Sequence, residues 1–208
     1  MNSWKELALL LVTAGLLLSL WGAAASPRKE PRLFCEQNLK KLYQYTLQYE
    51  NDHGGLPPVR IPMKPLWKFW SNLLKSYSKD SYDFVCPADP RAAFLFEKVR
   101  SPLYHPQEFN ASCYGMNWFL TDKDARKHKK EPKLENLSRP GNTVFLGDSK
   151  GPYMLPPRFW TYEKAFRHEG EKANFIYADG HVKFEAQSDF GKFENGKFAT
   201  DFTKWHWN

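Results

Sequence analysis

The stretch LFCEQNLKKLYQYTLQYE, Leu33 to Glu50, decides the fold class. Cys35, Leu39, Leu42, Thr46 and Tyr49 recur at steps of four and three, which places them on one face of a helix. Gln37, Lys40, Lys41, Gln44 and Gln48 fill the other face. Asn51-Asp52-His53-Gly54-Gly55 then offers the left-handed residue that ends a helix, and Pro57-Pro58 blocks its continuation. A helix with one apolar face needs a surface to cover, and NFIYADGHVKFE, Asn174 to Glu185, promises one. Asp179-Gly180 between two alternating runs predicts a two-residue hairpin turn with positive φ at both positions. In that register Tyr177 faces Val182 and Phe175 faces Phe184 on an apolar face, while Ala178 faces His181 and Ile176 faces Lys183. The expectation is an α+β domain, one long N-terminal helix packed on an antiparallel sheet of short strands and hairpins.

The remaining elements are shorter. Leu66, Trp67, Phe69, Trp70, Leu73, Leu74 and Tyr77 suit a second amphipathic helix over Pro65 to Ser76. Asp83–Cys86, Ser112–Leu120 and Thr143–Leu146 read as strands on β-branched and aromatic content. Asn195-Gly196, between Phe193 and Phe198, predicts a second hairpin turn. Asp122 to Glu135 mixes Lys123, Arg126, Lys127, Lys129, Lys130 and Lys133 with four acids and reads as an exposed loop.

The whole chain has 208 residues with a formal charge of +7, 42% hydrophobic and 16% aromatic residues, which excludes a disordered or collagen-like polymer. That length suits one domain. Its mean hydropathy of −0.64 excludes a multispanning membrane protein. One segment suits a bilayer: Leu7 to Leu20 is apolar and uncharged. Ala23 and Ala25 form the A-x-A pattern of a signal-peptidase site, with Ser26 as the new first residue. The competing reading is an uncleaved anchor, since Leu7 to Ala25 spans 19 residues against the roughly 20 that cross a bilayer. Both readings divide the chain into a targeting or anchoring segment, residues 1–25, and a folded domain, residues 26–208, outside the cytoplasm.

Cys35, Cys86 and Cys113 would then fold where disulfides persist. Cys86 at a strand end and Cys113 at the opening of another make that pair the favoured candidate among three pairings. No C-x-x-C or paired Cys/His spacing occurs, so no metal is expected. His168, Asp179 and His181 can be read as ligands or acid/base groups, or more plainly as turn and strand residues. Asp148 closes the TVFLG run, a strand end where ligands collect. No nucleophile elbow, phosphate loop, zinc helix or dinucleotide fingerprint is present, so neither catalysis nor a cofactor is expected. Lys127, Lys129 and Lys130, with Trp205 and Trp207, are candidate contacts for an acidic polymer or polysaccharide. The interspersed acids argue against nucleic acid.

Five pieces in order carry a family resemblance. Cys35-Glu36-Gln37-Asn38-Leu39-Lys40-Lys41-Leu42, running to Tyr49-Glu50-Asn51-Asp52-His53-Gly54-Gly55-Leu56-Pro57, resembles the C-x-N-N-L-K-Q-I … Y-x-N-D-x-G-x-x-P stretch of bacterial pseudopilin-like proteins. Val85-Cys86-Pro87-Ala88-Asp89-Pro90 is similar to their F-x-C-P-S-D-P, and Ser112-Cys113-Tyr114-Gly115-Met116-Asn117 to their S-Y-G-x-N. Arg139 to Asp148 is similar to x-P-S-x-T-V-L-L-x-D. Arg167-His168 through Asn174 to Asp179-Gly180-His181-Val182 resembles their terminal H-X9-DG motif, with ten residues here instead of nine. The basic leader of a prepilin is missing. The resemblance implies a pilin-like head, a non-enzymatic role in type II secretion or a related filament, and other pseudopilin or secretion-system subunits as partners. It marks His168, Asn174, Asp179, Gly180 and His181 as motif residues without assigning them chemistry. The alternative is a secreted binding module on the same scaffold, gripping a glycan or acidic polymer.

Overall fold

The computed structural model describes residues 30–63, 66–95, 112–121, 133–154, 166–194 and 197–200. The apolar segment 7–25, the basic residues Lys127, Lys129 and Lys130, and Trp205 and Trp207 lie outside the described residues. The elements described here all fall within one compact unit, Pro31–Asn208.

Helix α1 spans Pro31–His53 and buries Cys35, Asn38, Leu39, Leu42 and Thr46. It starts two residues before the expected helix and ends three after it. Pro31 occupies the first turn, where its missing N–H costs nothing. Lys40 pairs with Glu36 one turn back at 2.7 Å on the solvent side. Gly54, with φ of 74°, donates its N–H to the Glu50 carbonyl at 2.8 Å and ends the helix as its sequence promised. Gln37, Lys40, Lys41, Gln44 and Gln48 form the exposed face.

That helix lies on a five-stranded sheet of order β5-β3-β4-β6-β7. Its strands are β3 (Tyr114–Asn117), β4 (Val144–Asp148), β5 (Tyr153–Met154), β6 (Lys172–Tyr177) and β7 (Val182–Ala186). The fold is α+β, but the sheet is mixed: β5 runs parallel to β3, and the other pairings are antiparallel. Two small antiparallel pairs complete it, β1 (Arg60–Met63) with β2 (Leu66–Phe69) and β8 (Gly191–Glu194) with β9 (Lys197–Thr200). The second hairpin falls where it was expected, with Glu194 opposite Lys197. Among the described residues no helix is long and apolar enough to cross a membrane.

Both faces of the sheet are covered. On the α1 side Leu39 and Leu42 share a core with Leu146, Ile176 and Ala178. Opposite, Phe175 and Tyr177 pack with Val144, Met154 and Phe190, and the Phe175 and Phe190 rings stand 4.8 Å apart. Every residue of β3 and β4 is buried as a result.

Several local expectations change. The β6–β7 turn has three residues, Ala178, Asp179 and Gly180, because Tyr177 donates its N–H to the His181 carbonyl at 2.9 Å. Only Gly180, at φ 89°, is left-handed there, the mark of a type I turn closed by a glycine bulge. The register is Ile176↔Val182 and Phe175↔Lys183, one residue from the expected pairing. Such a slip turns β7 over. His181 therefore stacks on Tyr177 at 4.5 Å, and the Lys183 ammonium sits 4.6 Å over the same ring. Pro65–Ser76 divides into β2 and a one-turn helix α2, Trp70–Leu74, because Asn72 Oδ1 accepts the extended Phe69 N–H at 3.0 Å. Asp83–Cys86 is not a strand: Asp80 caps a 3₁₀ turn over Ser81–Phe84. Ser112–Leu120 is β3 followed by helix α3, Trp118–Thr121, which Asn117 starts by accepting the Phe119 N–H.

Gly147, near the end of β4, lets the Phe175 ring pack directly against the backbone. A Cβ there would lie 2.3 Å from Phe175 Cδ1 and 3.1 Å from the Asn174 carbonyl oxygen, a backbone atom. Gly147→Ala is expected to lower unfolding free energy by about 1–3 kcal/mol, the usual cost of overpacking, read from urea denaturation. Unchanged stability would show that the two core layers do not meet at this glycine.

Candidate functional site

Four elements converge beneath the first turns of α1. Cys35 comes from the helix's buried face and Cys86 from the chain leaving the 3₁₀ turn. Asp148 is the last residue of β4, and His168 stands just ahead of β6. The two sulfurs, a carboxylate oxygen of Asp148 and a ring nitrogen of His168 lie within 4.8 Å of one another. His168 Nε2 is 3.1 Å from Asp148 Oδ2 and 3.8 Å from Cys86 Sγ. Cys35, Cys86 and Asp148 have no exposed surface and His168 only 8%.

A second ring of residues holds these four. Asn174 donates its backbone N–H to Asp148 Oδ2 at 2.7 Å and its side-chain amide to the Arg32 carbonyl at 3.3 Å, tying β6 to both β4 and α1. The Tyr114 hydroxyl hydrogen-bonds Cys35 and accepts from Asn38 Nδ2 at 3.2 Å. That same Asn38 amide reaches the Tyr82 and Val85 carbonyls at 3.1 Å, fixing the segment that carries Cys86. Arg167 is buried beside the cluster and donates to Asp89, to the Cys113 carbonyl and to the Ser149 carbonyl. Arg91 completes a fork on Asp89 at 2.8 and 2.9 Å.

Burial and proximity set the protonation. Burial works against charge on His168, but the Asp148 hydrogen bond and the Cys86 sulfur outweigh it and raise its pKa to about 9. A hydrogen bond from Cys35 lowers Cys86 to about 6 against the pull of burial. Burial itself pushes the Cys35 thiol far up. In Asp89, burial favours the acid, yet hydrogen bonds from Arg91 and the charge of Arg167 bring its pKa down to about 2. Burial opposes charge on Arg167 too, and Asp148 and Asp89 outweigh it.

This geometry is not a nucleophile–base–acid relay. Such a relay puts the acid on the ring nitrogen opposite the one that faces the nucleophile. Here Asp148 and Cys86 both face Nε2, and neither sulfur has exposed surface. Two sulfurs, an imidazole and a carboxylate are instead a donor set suited to a metal ion.

The motif residues divide between two places. His168 belongs to the cluster and Asn174 supports it. Asp179, Gly180 and His181 sit at the far end of β6, where His181 Nδ1 meets Asp179 Oδ1 at 2.6 Å in a local pair. The expected Cys86–Cys113 disulfide is corrected: all three thiols are free and buried, and the sulfur brought to Cys86 is that of Cys35. Cys113 is held instead by its backbone, which bonds the Phe84 carbonyl and the Ser149 N–H. The expectation of no metal rested on local spacing, whereas these donors come from remote parts of the chain. Arg167 and Asp89 also pair, and their separation of 78 residues gives no local signal for it in the sequence.

Asp89 gives a signed test. Its pKa is lowered in the fold from 3.8 to about 2, so its contribution is present above pH 3.8 and lost as pH falls through that window. Asp89→Asn is expected to cost about 3–5 kcal/mol near neutrality, since it leaves Arg167 buried without its direct ion-pair partner. The acid-dependent loss between pH 3.8 and 2, followed by urea denaturation, should also flatten. A variant that keeps the wild-type acid profile would place that titration elsewhere.

Comparison of the chain with protein-family models, with curated proteins and with solved structures found no match.

Proposed function

We propose that this chain is a non-enzymatic, pseudopilin-like protein of the bacterial cell envelope, associated with type II secretion or a related pilus-like filament. The observation that carries this reading is α1 and its place in the sequence. A 23-residue helix follows the apolar segment 7–25 by a few residues and lays one face across the sheet. Its other face, with Lys40, Gln44 and Gln48, is exposed to solvent. The five motifs add to it, since Asn38, Cys86, Tyr114, Asp148 and His168, one from each, meet at the helix–sheet seam. In this reading segment 7–25 holds the subunit at the membrane, α1 carries the head, and the polar face of α1 meets other subunits.

The test is the mass and N-terminal residue of the protein recovered from its host, fraction by fraction. The expected result is a membrane-bound chain retaining Leu7 to Ala25 that cross-links to further subunits through Lys40 or Lys41 on α1. A soluble chain beginning at Ser26 would sink the filament reading.

A further inference from the structure

We propose that Cys35, Cys86, Asp148 and His168 form a closed, tetrahedral zinc site that locks α1 to the sheet. This inference stands on the cluster alone and does not depend on the envelope reading.

The donor types come first. Two sulfurs and an imidazole select zinc over calcium or magnesium, which take oxygen ligands. The separations come next. With Zn–S of about 2.3 Å and Zn–N or Zn–O of about 2.0–2.2 Å, the edges of a tetrahedron measure roughly 3.3–3.8 Å. The His168–Asp148 and His168–Cys86 edges are 3.1 and 3.8 Å, and every remaining edge is at most 4.8 Å. Small side-chain adjustments would bring all four onto one ion.

Three further features fit. Asp148 Oδ1 is buried without a hydrogen-bond partner, so the carboxylate that supplies the Oδ2 edge is left undercompensated, and a cation bound to it would offset part of that cost. Two thiolates and a carboxylate exceed the charge of a divalent ion by one, and the Arg167 guanidinium stands within electrostatic reach of Asp148 and Cys86. The ligands also have the outer contacts that metal sites use to fix orientation: Asn174 on Asp148 and Tyr114 on Cys35. Burial leaves no open fourth position, so the ion is structural and not catalytic.

The test uses the full-length protein, purified in detergent with a phosphine reductant and without chelator, and measures metal by inductively coupled plasma mass spectrometry. About one zinc per chain is expected, falling below about one-tenth in Cys35→Ser and in Asp148→Asn, and retained in Cys113→Ser. Because a ligand variant can fail to fold, the wild-type protein is also exchanged with cobalt(II). Thiolate-to-cobalt charge-transfer bands together with tetrahedral ligand-field bands are expected. A wild-type chain that takes up neither metal overturns the proposal. The same holds if intact mass of the native protein shows a loss of two hydrogens that maps to a Cys35–Cys86 disulfide. Zinc lost equally in Cys113→Ser would overturn the ligand assignment.

Discussion

A carboxylate without any exposed surface, Asp148, sets the terms for the rest of the structure. An isolated buried charge costs several kcal/mol, so the fold must bring donors or cations to it. His168 arrives from the entry to β6, and Asn174 brings its backbone N–H from the strand itself. Asn174 then bonds the Arg32 carbonyl in the first turn of α1, so the requirement of one carboxylate reaches the helix. Arg167, immediately before His168, adds a buried cation, which in turn demands Asp89. The charged residues at this seam are consequences of one another, and few can change alone.

The helix was the most legible part of the sequence. Cys35, Leu39, Leu42 and Thr46 show the period of a buried face, and Gly54 ends it in the left-handed conformation that only local chemistry dictates. The β6–β7 hairpin was legible as a hairpin but not in register, because Asp179-Gly180 suits either a two-residue or a three-residue loop. Tertiary contact favours the latter: the Tyr43 hydroxyl bonds the Ala178 carbonyl, and the Tyr43 ring lies where a Cβ on Gly180 would stand. Short apolar runs such as Leu66–Phe69 and Asp83–Cys86 carried no decisive period, and single side-chain caps from Asn72 and Asp80 chose their structure.

The site was legible only in pieces. Cys35 showed itself as a buried helix residue, Asp148 as a carboxylate at a strand end, and His168 as part of a motif. Nothing in their spacing joins them, because their meeting is decided by the strand order β4-β6 and by the helix lying across it. Metal sites recognised from sequence are those whose ligands share a hairpin or a helix turn. Here the four donors come from four separate elements, and only the assembled fold brings them together.

The position of the cluster along α1 also bears on the helix's own stability. Helix ends fray at little cost, and an end with few packed residues opens first. Cys35 lies in the second turn of α1, and Arg32, bonded by Asn174 and paired with Glu169 at 3.3 Å, lies in the first. The N-terminal end of α1 is thereby tied to the sheet and to the loop before β6. Buried ionic groups add little net stability compared with an apolar core of the same volume, but their geometry admits few alternatives. For a helix that must hold one rotational setting against the sheet, that constraint matters more than the free energy. Leucines alone would leave α1 free to slide by a turn. A carboxylate, an imidazole and two sulfurs at fixed separations would not.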